Sequence, residues 1–511
     1  MLEQTYTKIF RLFLQMMMLA CFLSVSYFAH AFKLPDTGQS KTYDNTGEIS
    51  PVSPGQRFFG QDASYAGSIP AYKDNGDGTV TDLVTGLMWS KSVDLQKSVL
   101  SEAQAAASRL SLAGYHDWRV PDIKELYSLI DFRGYTGSAD DKYAGIPDDA
   151  IPFINTDFFD FAYGDLSAGE RYIDAQWLSS TKYVSTTMHG AETLFGVNFA
   201  DGRIKGYGLM KRDGSTKKFY VRFVRGQPYG NNDFSDNGDG TVADAVTGLT
   251  WMKADSGRPM SWEEALAYAE GLSLAGFDDW RLPDAKELQY IVDYTRSPDT
   301  TDSPAIAPVF ETSSIINEAG RRDYPCFWTS TTHLDGHEPG KAAAYVAFGR
   351  ALGKMHGAVM DVHGAGAQRS DPKTGTPTFR GPQGDAVRIT NYVRCVRGGD
   401  RKLLTAFTAP SKQSYPFKIK LVGRAGVSVK TSQGVSSKRH HQNDWKGNGR
   451  MPDKGGFRHH FINRLDSDGD GRVSRSEFDG PVDRFDYHDR NRDGFIEASE
   501  APTGPPPGRR P

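Results

Sequence analysis

Two stretches near the C-terminus space acidic side chains at intervals that suit a hard cation. The first runs Asp466, Asp468, Asp470, Gly471, Arg472, Ser474 and ends on Glu477 at its twelfth position; the second runs Asp489, Asn491, Asp493, Gly494, Phe495, Glu497 and ends on Glu500. Calcium takes about six to eight oxygens. Side-chain oxygens at positions 1, 3 and 5, the backbone carbonyl of Arg472 or Phe495 at 7 and a contribution from Ser474 or Glu497 at 9 leave one side for a two-oxygen carboxylate at 12. Gly471 and Gly494 permit the turn that such a loop needs at its sixth position. The expected cofactor is therefore Ca2+, at two sites, with Val473 and Ile496 facing one another across a short β-bridge.

The elements around these loops follow from apolar spacing. Phe457, Phe461 and Leu465 recur at helical intervals before the first loop, and Gly480-Pro481 opens a second helix with Val482 and Phe485 inward. The arrangement resembles an EF-hand pair, which implies a small all-α unit over residues 457–500. Pro502 removes room for the last exit helix, so the second loop is expected to bind more weakly. Little Met or helix is present to form a sensor's groove, which favours a structural or buffering role. The Asp-Asn-Gly-Asp-Gly-Thr strings at Asp74 and Asp236 do not share the twelve-residue register. They are read as turns, with a different cation loop through Asp74, Asp77 and Asp82 left open.

The middle of the chain is a duplication. Asp74 to Lys91 recurs as Asp236 to Lys253, and Leu112 to Leu126 recurs as Leu274 to Leu288, both at an offset of 162 residues. Trp177-Leu178-Ser179-Ser180 is set on Trp328-Thr329-Ser330-Thr331, and Tyr220 to Gly226 on Tyr392 to Gly398. Asn75-Gly76 and Asn237-Gly238 are hairpin dipeptides leading into Leu-x-Trp strands. Ser261 with Glu264, Asp284 with Glu287 and Asp122 with Glu125 are helix-opening pairs. The remainder is turn-rich with short β-like runs, an α+β pattern.

These strings, continued by Leu-Ala-Gly-x-x-Asp-Trp-Arg-[Leu/Val]-Pro and Val-Arg-x-Val-Arg-Gly, resemble the Lcl C-terminal domain family, named for a collagen-like bacterial adhesin. The resemblance implies an extracytoplasmic bacterial protein and two tandem domains of C-type-lectin-like or sulfatase-modifying-like fold. It also implies adhesion to a glycan or other polyanion. The residues limit that transfer: Glu338-Pro339 is followed by Gly340 rather than by a sugar-binding Asn. Nor do the cysteines match the closely spaced reactive pair of formylglycine-generating enzymes. No nucleophile, base and oxyanion set is recognisable from spacing, so a non-enzymatic protein is expected, an extracytoplasmic modifying enzyme or hydrolase being the other reading.

On the same alignment Cys326 falls on Ala175 and Cys395 on Phe223, so that one copy has both thiols and the other neither. A Cys326 to Cys395 disulfide is expected, two separately buried thiols being the other reading. The first 31 residues read as a secretory signal, with Lys8 and Arg11 ahead of an apolar run and Ala29-His30-Ala31 before the cut. An uncleaved anchor and a lipid attachment at Cys21 are the other readings of that segment.

The mean hydropathy of −0.53 excludes a polytopic membrane protein, and a net charge of −3 gives no case for specific nucleic-acid binding. Residues 399–464 nevertheless hold fourteen Lys and Arg against three Asp, either a solvated linker beside an acidic neighbour or a polyanion patch. The expected order is signal 1–31, extension 32–71, repeats 72–228 and 234–398, basic linker 399–456, calcium loops 457–500 and a Pro-rich tail 501–511. Export to the periplasm, cell surface or medium is expected; the oligomeric state is not legible.

Overall fold

A computed structural model describes residues 32–211 and 213–404, the backbone of strands 418–423 and 426–431, and, near the C-terminus, residues 465, 470–475, 477, 478, 485, 488–497, 499 and 500. The signal segment, most of the basic linker, Asp466, Asp468 and the tail lie outside them. The chain divides into two compact units, Met1–Val435 and Ser436–Pro511. It is β-rich, with four α-helices among the described residues, so sheet dominates the α+β balance read from the sequence.

Each repeat is built twice over in the same way. Strands Tyr72–Asp74, Thr79–Asp82, Met88–Ser90 and Val224–Arg225 form one antiparallel sheet, and Phe234–Asp236, Thr241–Asp244, Leu249–Met252 and Val396–Gly398 form its counterpart. Val80, Trp89 and Val224, like Val242, Trp251 and Val396, have no exposed surface, because alternation turns one face of each sheet inward. The Asn-Gly turns close the first hairpins: Asp74 accepts from Gly76 N–H at 3.0 Å and Asp77 from Thr79 N–H at 3.1 Å. Asp82 accepts from Val84 N–H at 2.8 Å, so all three carboxylates serve turns.

The helices are Leu100–Arg109 and Ile123–Ser128 in repeat one, Trp262–Glu270 and Ala285–Tyr290 in repeat two. Ser261 accepts from Glu264 N–H while Glu264 accepts from Ser261 N–H, and Asp284 and Glu287 do the same. Arg281 then forms a bidentate pair with Glu287 at 2.6 and 2.7 Å, and Arg119 pairs in the same way with Glu125.

Each repeat adds a three-stranded sheet, Gln176–Thr187 with Ala191–Asn198 and Arg203–Gly208, and Cys326–His333 with Ala342–Ala347 and Gln368–Pro372. Here the structure corrects the sequence alignment by one residue. Tyr220 bridges Trp177, whereas Tyr392 bridges Phe327. Ser180 N–H reaches Pro121 O as Ser330 N–H reaches Pro283 O. Trp177 therefore corresponds to Phe327, and Leu178 to Trp328. A one-residue slip in a strand exchanges its two faces, and the identical indoles disguised it.

The cysteines are corrected too. Cys326 and Cys395 are free, buried thiols. The parallel bridge of Phe327 to Tyr392 sets Cys395 three residues beyond the crossing and Cys326 one before it, about 13 Å of strand rise apart. A disulfide needs α-carbons within about 7 Å. Burial pushes the Cys326 thiol up to about 12 and raises that of Cys395 as well.

The two repeats share one core inside the first unit. Phe195 of repeat one meets Tyr294 of repeat two edge-on at 4.8 Å. The extension is woven into repeat two: the Gln39 amide exchanges hydrogen bonds with the Thr332 backbone at 2.8 and 2.9 Å, and Arg401 pairs with Asp36 and Asp284. Lys402–Leu403 pairs with Tyr65–Ala66. Strands Lys418–Gly423 and Gly426–Thr431 form a small antiparallel hairpin.

Candidate metal loops and the seam between repeats

Within the second unit, Val473–Ser474 pairs antiparallel with Phe495–Ile496, and Val473 faces Ile496. Both side chains are fully buried and pack with Leu465 and Phe485, which ties the two loops into one small core. Gly471 and Gly494 have φ of 84° and 91°, the left-handed turn that a Cβ would strain.

The second loop is described at every predicted ligand. Asp489 accepts from Asp493 N–H at 3.2 Å and Gly494 N–H at 3.0 Å; Asn491 accepts from Asp493 N–H, and Asp493 from Phe495 N–H. Glu500, eleven residues after Asp489, reaches back to the N–H groups of Arg490 at 2.9 Å and Asn491 at 3.1 Å, and its other oxygen takes Glu497 N–H at 3.2 Å. Asp489 and Glu500 are both buried. In the first loop Asp470 accepts from Arg472 N–H at 2.9 Å and Glu477 from Ser474 N–H at 2.8 Å. These repeat the bonds Asp493 makes with Phe495 and Glu500 makes with Glu497, so the loops share a conformation as well as a spacing.

The donors are oxygens throughout, the set a hard divalent cation prefers. Among the described residues, no three His, Cys, Asp or Glu stand close enough to hold a metal ion; Asp466 and Asp468 lie outside that group. When bound, calcium would draw these carboxylates together and fix the turn.

Sequence reasoning missed a second concentration of charge, at the seam between repeats. Arg203 of repeat one pairs with Asp335 of repeat two at 2.6 Å and donates to Ser370 at 2.8 Å. Lys205 pairs with Asp201 at 2.5 Å, and the Asp201 carbonyl lies 2.9 Å from His333 Nε2. His363 Nε2 sits 2.9 Å from Asp385, which also pairs with Arg369. Tyr183 donates to Asp361 at 2.9 Å. Desolvation, reinforced by Arg203, pushes His333 down to about 3; desolvation, reinforced by Arg369, pushes His363 down to about 4. Burial pushes Asp361 up to about 7. Arg203 with Asp335 and Tyr183 with Asp361 cross between the repeats, and both imidazoles are buried. No spacing signal could reveal this cluster, because its bonded partners lie up to 178 residues apart and meet only once both sheets have folded.

At the surface, one arrangement occurs once per repeat. The Arg225 guanidinium lies 3.6 Å from the centre of the Tyr115 ring and pairs with Asp117; Arg397 lies 3.6 Å from that of Phe277 and pairs with Asp279. Both rings are partly exposed.

Residues 78–225 and 240–362 match the model of the Lcl C-terminal domain, over half of the chain in two tandem stretches. The chain belongs to the Lcl C-terminal domain family. Its matched stretches contain the paired Arg119–Glu125 and Arg281–Glu287 elements and begin two residues after each Asn-Gly dipeptide. No curated protein and no solved structure matches the chain. Among the described residues no helix is long and apolar enough to cross a membrane.

Proposed function

We propose that this Lcl-family chain is an exported calcium-binding protein: its tandem lectin-like repeats form a non-catalytic recognition unit, and an EF-hand pair of loops serves it as a stabilising module. The carrying observation is the loop pair, in which Val473 faces Ile496 and the Glu500 carboxylate closes over the start of its own loop. The oxygen-only donor set supports Ca2+ over softer metals. Substituting Glu477→Gln and Glu500→Gln together removes one charged oxygen per loop. Calcium calorimetry on the EDTA-treated chain is expected to lose both sites; unchanged binding would refute the assignment.

A second reading, adhesion to sulfated or acidic glycans, is favoured by the Arg225–Tyr115 and Arg397–Phe277 surfaces. Two like patches on one unit raise the effective affinity for a repeating polymer. Retention on a heparin-like polymer that falls with salt supports it, and absence of retention at low salt removes it.

A further inference from the structure

The linker between the repeats closes over one lysine. Lys124, on the short helix Ile123–Ser128, donates from Nζ to Gly230 O and to Asn232 Oδ1, both at 3.0 Å. A Cβ on Gly230 would stand 2.8 Å from two carbons of the Lys124 stem, so only glycine lets the linker approach this closely. The Asn232 Nδ2 is buried, with only a loose contact to the Tyr290 hydroxyl. The Tyr290 ring lies 5.1 Å from Nζ. Asp244, almost fully buried, accepts from the Asp233 main-chain N–H at 3.1 Å.

We propose that Lys124 and Asn232 become joined by an amide bond that staples repeat one to the linker entering repeat two. The lysine amine adds to the Asn232 amide carbon; the Nζ–Cγ bond forms, the Cγ–Nδ2 bond breaks, and ammonia leaves. Nζ gives up one proton and Nδ2 gains one. Nothing is oxidised or reduced, and no co-reactant is consumed. Burial pushes the Lys124 ammonium down to about 8, which raises the fraction of free amine at neutral pH.

The duplication contains its own control. Lys286, the counterpart of Lys124, donates only to the main-chain carbonyls of Asp36 at 3.0 Å and Ser128 at 2.9 Å. Those groups offer no side-chain amide, so the staple is expected once, at Lys124.

Denaturing mass spectrometry of the full chain beside its Lys124→Arg variant tests this, since processing at the N-terminus cancels between them. Allowing for the substitution, the unsubstituted chain is expected to be lighter by one ammonia, and its tryptic digest to contain one linked peptide carrying both Lys124 and Asn232. Lys124→Arg keeps a cation over Tyr290, and Asn232→Ala removes only the amide; each is expected to lose the linked peptide. Equal corrected masses with separate peptides around 124 and 232 would overturn the proposal, as would a linked peptide that survives Lys124→Arg.

Discussion

Arg222 and Arg394 are buried cations whose main hydrogen bonds go to carbonyls. Arg222 donates to the carbonyls of Ser90, Lys91 and Asp160 at 2.6–2.7 Å between the rings of Phe159 and Trp177, and burial pushes it down to about 9. Arg394 repeats the arrangement with Met252, Lys253 and Glu311 between Phe310 and Phe327. Each joins the end of the Leu-x-Trp strand to a loop about 60 to 70 residues further along the chain. Replacing Arg394 by Met leaves buried carbonyls without donors, and urea unfolding is expected to show a loss of about 3 kcal/mol. A loss below about 0.5 kcal/mol would mean that water replaces the guanidinium.

The seam histidines give a pH dependence with a definite sign. His363 has a folded pKa of about 4, against about 6.5 when unfolded. Its burial therefore costs nothing above about pH 6.5; a penalty grows as pH falls and levels off below about 4. His333 acts in the same direction, with its folded value near 3. Asp361 acts oppositely, because its folded value of about 7 penalises the fold as pH rises from about 4. In thermal melts between pH 6.5 and 4, His363→Gln is expected to lose less stability than the parent chain; parallel profiles would place the acid sensitivity elsewhere. The thiols make a simpler test: the denatured, unreduced chain beginning at Phe32 is expected to titrate two free thiols, and none would restore the disulfide.

Among the elements, those specified by neighbouring residues were legible. Ser261 with Glu264 and Asp284 with Glu287 open helices where the sequence indicates, since a cap needs only residues three apart. The Asn-Gly hairpins form for the same local reason. What escaped was set by partners far along the chain: the register of Phe327 against Tyr392, the paired charges at the seam, and the extension's place in repeat two. Gln39 and Asp62 carry no pattern that announces a partner at Thr332 or Thr331. Of the metal loops, their spacing and the Val473–Ile496 bridge were legible, while the inward hydrogen bonds of Glu500 were not.

The extension accounts for an asymmetry between the repeats. Arg281 retains 5% side-chain exposure and Arg119 35%, although each holds its glutamate in the same way. Deleting residues 32–67 is expected to speed amide exchange in Trp262–Glu270 and Ala285–Tyr290 while leaving Leu100–Arg109 protected. Equal changes in both repeats would show that the extension supports the shared core rather than one half.

At the scale of the whole molecule, duplication has produced one body with two like surfaces instead of two independent domains. A core that includes Trp177 and Val224 from one repeat and Trp251 and Val396 from the other leaves neither half a complete interior. The platforms of Arg225–Tyr115 and Arg397–Phe277 are thereby carried on one unit. Calcium binding is assigned to the C-terminal loops. Its most direct test is titration of Ca2+ into the EDTA-treated chain by calorimetry. Two sites per chain, at Asp466–Glu477 and Asp489–Glu500, are the predicted result, and the absence of any saturable heat would contradict the account.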